Sequence, residues 1–207
     1  MKRKQLGNNK LKDIFEHSSN SANYLKNYSR YILELLDQLD YTALENIIRC
    51  FCDARKRSST IFFVGNGGSA ATASHFAQDL AEVGRKTGKR CFRTCGLTNS
   101  IPHITALAND YGYETIFTGQ MQDFFKKKDV MVAISASGNS PNIVKAVEYA
   151  KRLGGETIGL VGFDGGKLSR LCDYVLHVKT RHGEYGPVED IHMLLNHMIT
   201  TYLIMKI

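Results

Sequence analysis

The chain has 207 residues, 43% of them hydrophobic and 23% charged, with a formal net charge of +7. Length and apolar content suit one folded domain with a substantial core and exclude a disordered chain, and no apolar run approaches the roughly 18 to 20 residues of a membrane span. The five cysteines, Cys50, Cys52, Cys91, Cys95 and Cys172, are odd in number and lack C-x-x-C spacing, so buried, reduced thiols are expected rather than a disulfide framework or zinc ribbon.

The first ten residues, Met1 to Lys10, are basic but no apolar segment follows them. They do not read as a signal peptide, and a cytoplasmic location is expected. The excess positive charge gathers in short clusters, Lys2 to Lys4, Arg55 to Arg57, Arg85 to Arg90 and Lys126 to Lys128. Solvated faces account for most of these, and without interleaved aromatics they predict neither a nucleic-acid nor a membrane partner. A small anionic substrate accords with the same charge.

Residues 10 to 57 carry helical periodicity, with Ile14, Leu25, Ile32, Leu35, Leu39, Leu44, Ile47 and Phe51 in apolar stripes. Asp40-Tyr41-Thr42 breaks the pattern into two predicted helices. From residue 60 short β-rich runs take over: Thr60 to Val64, Cys91 to Leu97, Val130 to Ser135, Thr157 to Val161 and Tyr174 to Val178. Helices are predicted between and after them at 69–84, 101–108, 114–127, 141–153, 167–172 and 188–207. Such alternation implies right-handed βαβ units and a mostly parallel sheet covered on both faces. Ligands in these sheets gather beyond the carboxyl ends of the strands.

Two loops fall at such ends. After the first strand come Gly65-Asn66-Gly67-Gly68-Ser69 and a helix with His75 and Asp79 on one face, four residues apart. The glycines allow positive φ, and the helix start offers unpaired N–H groups to an anion; the alternative is an ordinary strand-to-helix turn. His75 and Asp79 alone fit either a site or an exposed hydrogen bond. After the third strand comes Ser135-Ala136-Ser137-Gly138-Asn139-Ser140-Pro141, with Ser140 placed as an N-cap and Pro141 as first helical residue. Its hydroxyls suit the oxygens of a phosphate monoester, beyond what a cap needs. No Gly-x-x-x-x-Gly-Lys-Ser/Thr occurs, which argues against a P-loop nucleotide fold.

In the last helix Glu189 reads as a first-turn acid and His197 as either a core histidine or a ligand. With His75 and Asp79 they make two imidazoles and two carboxylates, a donor set suited to zinc. The eight residues between Glu189 and His197 rise about 12 Å on a straight helix, so both reach one metal only if Glu189 lies at a frayed start or in the preceding loop.

Together these motifs, with Ala108-Asn109-Asp110-Tyr111-Gly112-Tyr113, Gly162-Phe163-Asp164-Gly165-Gly166-Lys167-Leu168 and Glu189-Asp190-Ile191-His192, resemble the sugar isomerase (SIS) domain family, and within it the phosphoheptose isomerases, over roughly residues 20 to 205. The resemblance implies an α/β fold: a three-layer αβα sandwich, flavodoxin-like, with a five-stranded parallel sheet. It makes the whole chain one SIS domain, with residues 10–57 an N-terminal helical extension that packs in a homotetramer whose sites lie at subunit interfaces. It also implies conversion of sedoheptulose 7-phosphate into D-glycero-D-manno-heptose 7-phosphate for surface-glycan heptose. Carried over by position, Asn66, Gly67, Gly68, Ser69, Asn99, Ser100, Ser135, Ala136, Ser137 and Ser140 contact the sugar phosphate, as do Asp79 and Glu189. His75, Asp79, Glu189 and His197 match metal positions, with one zinc per subunit expected, and Asp79 and His197 are the expected acid–base pair.

Departures from the family pattern are also visible. Asp79 stands for a usual glutamate, Glu189 for a glutamine, Ala136 for a threonine and Gly186 for an aspartate, and an acidic residue near Asn99 or Ser100 is missing. These changes point to a side branch with an altered sugar. Two other classes compete for the same residues. A dinucleotide oxidoreductase would use the same glycine turn but needs an acid at the end of the second strand, and no Asp or Glu occurs between Gly84 and Asn109. A non-catalytic SIS scaffold or sugar-phosphate sensor would be expected to have lost His75, Asp79 and His197, which are present.

Overall fold

The computed structural model describes residues 9–122 and 124–207. The basic cluster Lys2 to Lys4 and the signal-peptide question lie outside the described residues. Five strands, β1 (Thr60–Gly65), β2 (Arg93–Gly96), β3 (Val130–Ser135), β4 (Glu156–Val161) and β5 (Tyr174–His177), form one all-parallel sheet of order β2-β1-β3-β4-β5. The direction of strand addition reverses between β1 and β3, so their loops diverge and leave a crevice at the carboxyl edge.

Alternate strand residues feed two cores, which is why these runs are continuously apolar rather than half polar. Ile61, Phe63, Val130, Val132 and Ile134 face a core shared with α3 (Tyr41–Arg57), α4 (Gly68–Thr87) and α9 (Tyr185–Lys206). Phe62, Val64, Met131 and Ala133 face the other, shared with α7 (Pro141–Arg152). Phe51, Phe63 and Phe76 meet with ring centroids 5.1–6.5 Å apart and join α3, β1 and α4. The remaining helices are α1 (Lys10–Glu16), α2 (Ser21–Asp37), α5 (Ile101–Tyr111), α6 (Thr118–Met121) and α8 (Leu168–Leu171). No described helix is long and apolar enough to cross a membrane.

Four sequence expectations need correction. Residues 10–57 form three helices, because Asn20 caps α2 by accepting a hydrogen bond from the Asn23 N–H at 2.9 Å and so ends the first helical run early. The helix expected over 114–127 is reduced to a 3-10 turn, Tyr113–Thr115, and the short α6. There the Asp129 carboxylate accepts from the Lys126 and Thr60 N–H groups, each at 2.8 Å, and holds the chain in a turn that buries Phe125 on Phe62 at 5.2 Å. β2 is shorter than expected because it is an edge strand pairing with β1 alone. Cys91, just before it, is exposed, whereas Cys50 is buried; all five thiols are free.

The N-terminal helices are tied to the start of α9. The fully buried Glu184 carboxylate accepts from the Lys10 N–H at 2.6 Å, the Tyr31 hydroxyl at 2.6 Å and the Arg181 N–H at 3.3 Å. Six residues on, Asp190 accepts from the Tyr28 hydroxyl at 2.5 Å. Burial first, then these carboxylates, push both phenols far above their usual ionisation range. Gly186 makes room for this contact, since a Cβ there would lie 3.2 Å from the Tyr28 hydroxyl.

Candidate active site

The first loop is shaped by close backbone approach. A Cβ on Gly65 would stand 2.2 Å from the Ser69 carbonyl oxygen, and Gly67 has φ +55, so strand and helix join in a turn that larger residues do not enter. Asn66 then makes a reciprocal amide pair with Asn142: Asn66 Nδ2 donates to Asn142 Oδ1 at 2.9 Å and Asn142 Nδ2 to Asn66 Oδ1 at 2.8 Å. The Tyr113 hydroxyl donates to Asn66 Oδ1 at 3.1 Å. Asn142 is buried in the first turn of α7, so the pair clamps the β1 loop to the β3 loop across the crevice.

Between the two loops lies a cavity of 140 Å³. Asn66 and Ser69 line it from the first loop, Ser135, Ala136, Ser137 and Ser140 from the second, and Tyr185 and Glu189 from α9. Ser140 occupies the N-cap position with Pro141 following, as expected, but its hydroxyl makes no capping bond. That hydroxyl is therefore not committed to the helix and can face a ligand. The α7 N-terminus adds the positive end of its dipole, although its Ile143 N–H is taken by Asn142 Oδ1 at 3.0 Å.

Glu189 sits over the first turn of α4. Its Oε2 is 2.2 Å from where a Gly68 Cβ would be, so Gly68 creates the space that the carboxylate fills. Burial and the neighbouring Asp190 raise its pKa above the ordinary carboxylate value. Asn99 and Ser100 lie in the connection between β2 and α5, Ser100 at the α5 N-cap, outside the cavity lining. A larger groove of 620 Å³ runs between α3 and the C-terminal end of α9 and shares no residue with this cavity.

Along α4 and α9 lies a second constellation. His75 Nε2 is 3.1 Å and His197 Nε2 3.8 Å from the same Asp79 Oδ2, and the two imidazole centroids are 5.1 Å apart. Their ligand atoms all lie within 4.8 Å of one another, an arrangement that suits a metal ion. Glu189, expected as a fourth member, is not part of this group. It lies inside regular helix, since α9 already begins at Tyr185, and about two turns of rise separate it from His197.

Two neighbours escaped the sequence reading. Asn196, fully buried on α9, donates from Nδ2 to Asp79 Oδ2 at 2.8 Å. Asn142 closes the amide pair with Asn66. An asparagine beside a proline or inside an apolar helix carries no local signal of either role. His192 of the Glu189-Asp190-Ile191-His192 motif points into the core instead: burial drives its pKa down to about 4, and the opposing Val161 backbone contact is minor.

The SIS domain family matches residues 23–162. A phosphoheptose isomerase from Aliarcobacter butzleri is 40% identical over 157 residues, which cover 75% of this chain and 81% of that protein. One from Nitratidesulfovibrio vulgaris is 36% identical over 187 residues, 90% of this chain and 84% of the relative. Among solved structures, a phosphoheptose isomerase from Neisseria gonorrhoeae superposes with a TM-score of 0.73 at 30% identity, over 88% of this chain and 95% of that one. With fold, loop order and sequence in agreement, this chain belongs to the SIS domain family and, within it, to the phosphoheptose isomerases.

Proposed function

We propose that the chain is an aldose–ketose isomerase that converts sedoheptulose 7-phosphate into D-glycero-D-manno-heptose 7-phosphate, a precursor of surface-glycan heptose. The observation that carries this reading is the pairing, along the same two helices, of a serine-lined anion cavity with the His75, Asp79 and His197 group. A sugar phosphate needs both, one to hold the phosphate and one to move protons at the far carbons.

In this reading the phosphate takes hydrogen bonds from Ser135, Ser137 and Ser140 and from the α7 N-terminus, with Ser69 and the Ala136 backbone closing the cavity. Asn66, Gly67, Gly68 and Glu189 line the path of the sugar chain, with Asn99 and Ser100 at its outer edge. Isomerisation moves a proton from C1 of the ketose to C2 of the aldose through an enediol, and a second proton between the oxygens. When not engaged by a metal ion, Asp79 and His197 form the acid–base pair, one withdrawing the carbon-bound proton while the other serves the carbonyl oxygen. His75, Asp79 and His197 are the residues that would hold zinc: two imidazole nitrogens and one carboxylate oxygen are within reach of one ion and match its ligand preferences. A dication bound there supplies polarisation of the substrate carbonyl. A single SIS domain, a cytoplasmic homotetramer and sites at subunit interfaces complete the proposal.

The test is turnover of sedoheptulose 7-phosphate against a panel of other ketose phosphates in deuterated water. Deuterium is expected at C2 of the aldose product; a chain that turns over none of the panel removes the isomerase reading. Zinc analysis addresses the metal separately. The parent is expected to hold about one zinc per chain and His75→Ala substantially less, because the variant lacks one of three donors. Equal metal content in both, or none in the parent, removes zinc from the proposal.

A further inference from the structure

Asn196 is a buried polar residue whose hydrogen bonding is only half satisfied. Its Nδ2 donates to Asp79 Oδ2 at 2.8 Å, while its Oδ1 is buried without a partner among the described residues. The reverse amide orientation would set two acceptor oxygens against each other, so the donor assignment follows from Asp79 itself. An unpaired buried carbonyl is destabilising, and leucine, which shares asparagine's branched shape, would fill the position without that cost. Retention of a locally unfavourable group is the pattern expected where function requires it.

The function lies in how the two oxygens of Asp79 are used. Oδ2 receives the Asn196 N–H and also faces both imidazoles, at 3.1 Å and 3.8 Å. Oδ1 accepts no hydrogen bond among the described residues. The terminal torsion of an aspartate is broad and nearly two-fold, so without a fixed donor the two oxygens exchange places readily. Asn196 reaches from α9 and holds one of them.

We propose that Asn196 is a positioning residue that pins Asp79 Oδ2 toward His75 and His197 and leaves Oδ1 as the oxygen that transfers the substrate proton. The proposal rests on the role given above to Asp79. It separates two demands on one side chain, organising the histidine pair and acting in proton transfer, by giving each its own oxygen. Asn196 itself touches no reacting atom.

The experiment compares the parent, Asn196→Leu, Asn196→Ala and Asp79→Asn as full chains, by thermal unfolding and by steady-state kinetics on sedoheptulose 7-phosphate. Asn196→Leu is expected to unfold at the parent temperature or higher, while kcat falls about 10- to 100-fold with KM within about twofold, the scale of loss typical when an outer-shell partner of a site is removed. Asn196→Ala is expected to show the same kcat loss per folded molecule, so the conclusion does not depend on how well leucine packs. Unchanged kcat in both variants, or a loss that only tracks lowered stability, overturns the proposal while leaving the isomerase reading intact. Full activity of Asp79→Asn, or no turnover by the parent, overturns the role of Asp79 and this proposal with it.

Discussion

His197→Ala is expected to abolish solvent-deuterium incorporation at C2 of the heptose phosphate and to lower kcat by about 10²- to 10⁴-fold, the range for loss of a positioned acid or base. The geometry explains why the effect should be chemical rather than structural. His197 is half exposed on α9, its ring is 5.1 Å from that of His75, and its Nε2 is 3.8 Å from Asp79 Oδ2. Removing it empties the mouth of the site and leaves the buried side of the helix, Val188, Ile191, Leu195 and Ile199, in place. Deuterium exchange by nuclear magnetic resonance is the informative measurement, because it detects carbon-bound proton removal even when net turnover is slow. Equal exchange in variant and parent would sink His197 as an acid–base group.

The second large effect is on stability. Glu184→Ala removes the acceptor shared by the Lys10 N–H, the Tyr31 hydroxyl and the Arg181 N–H. Hydrogen bonds to a buried carboxylate are stronger than neutral ones, and two or more donors left unpaired cost about 3–4 kcal/mol in sum. For a chain of this size the melting temperature should fall on the order of 10 °C. Tyr31→Phe removes only one of the bonds and should cost about 1 kcal/mol. A melting temperature for Glu184→Ala within about 2 °C of the parent would show that the clasp contributes little. The site should feel the loss too, since Glu184 fixes the start of the helix that carries Tyr185, Glu189 and His197.

Much of the architecture was legible locally. The runs around Phe62, Met131 and Ile158 are too short for helices and apolar on both faces, a combination that only a doubly covered parallel sheet accommodates. Ser140-Pro141 marked the start of α7 on cap and φ preferences alone. The failed helix has a non-local cause. The 114–127 segment has helical periodicity, yet the Asp129 side chain, bonded to the distant Thr60 N–H, fixes it as a turn. Periodicity reports which residues are apolar, not which distant group competes for the backbone.

The sequence by itself determined the layered α/β class, the two loops at the carboxyl edge, and the chemistry of the residues they and their helices carry, because backbone preferences and apolar periods act over a few residues. The family followed from the order of those motifs. Only the tertiary structure decided how the functional groups are divided. It brings Asp79 within 2.8 Å of Asn196, 117 positions away, and Asn66 to Asn142, 76 positions away, and it keeps Glu189 over Gly68 rather than with the histidines. The physical reason is the packing of α9 along α4: the register of two helices against each other sets which side chains meet, and no local property of either helix encodes it.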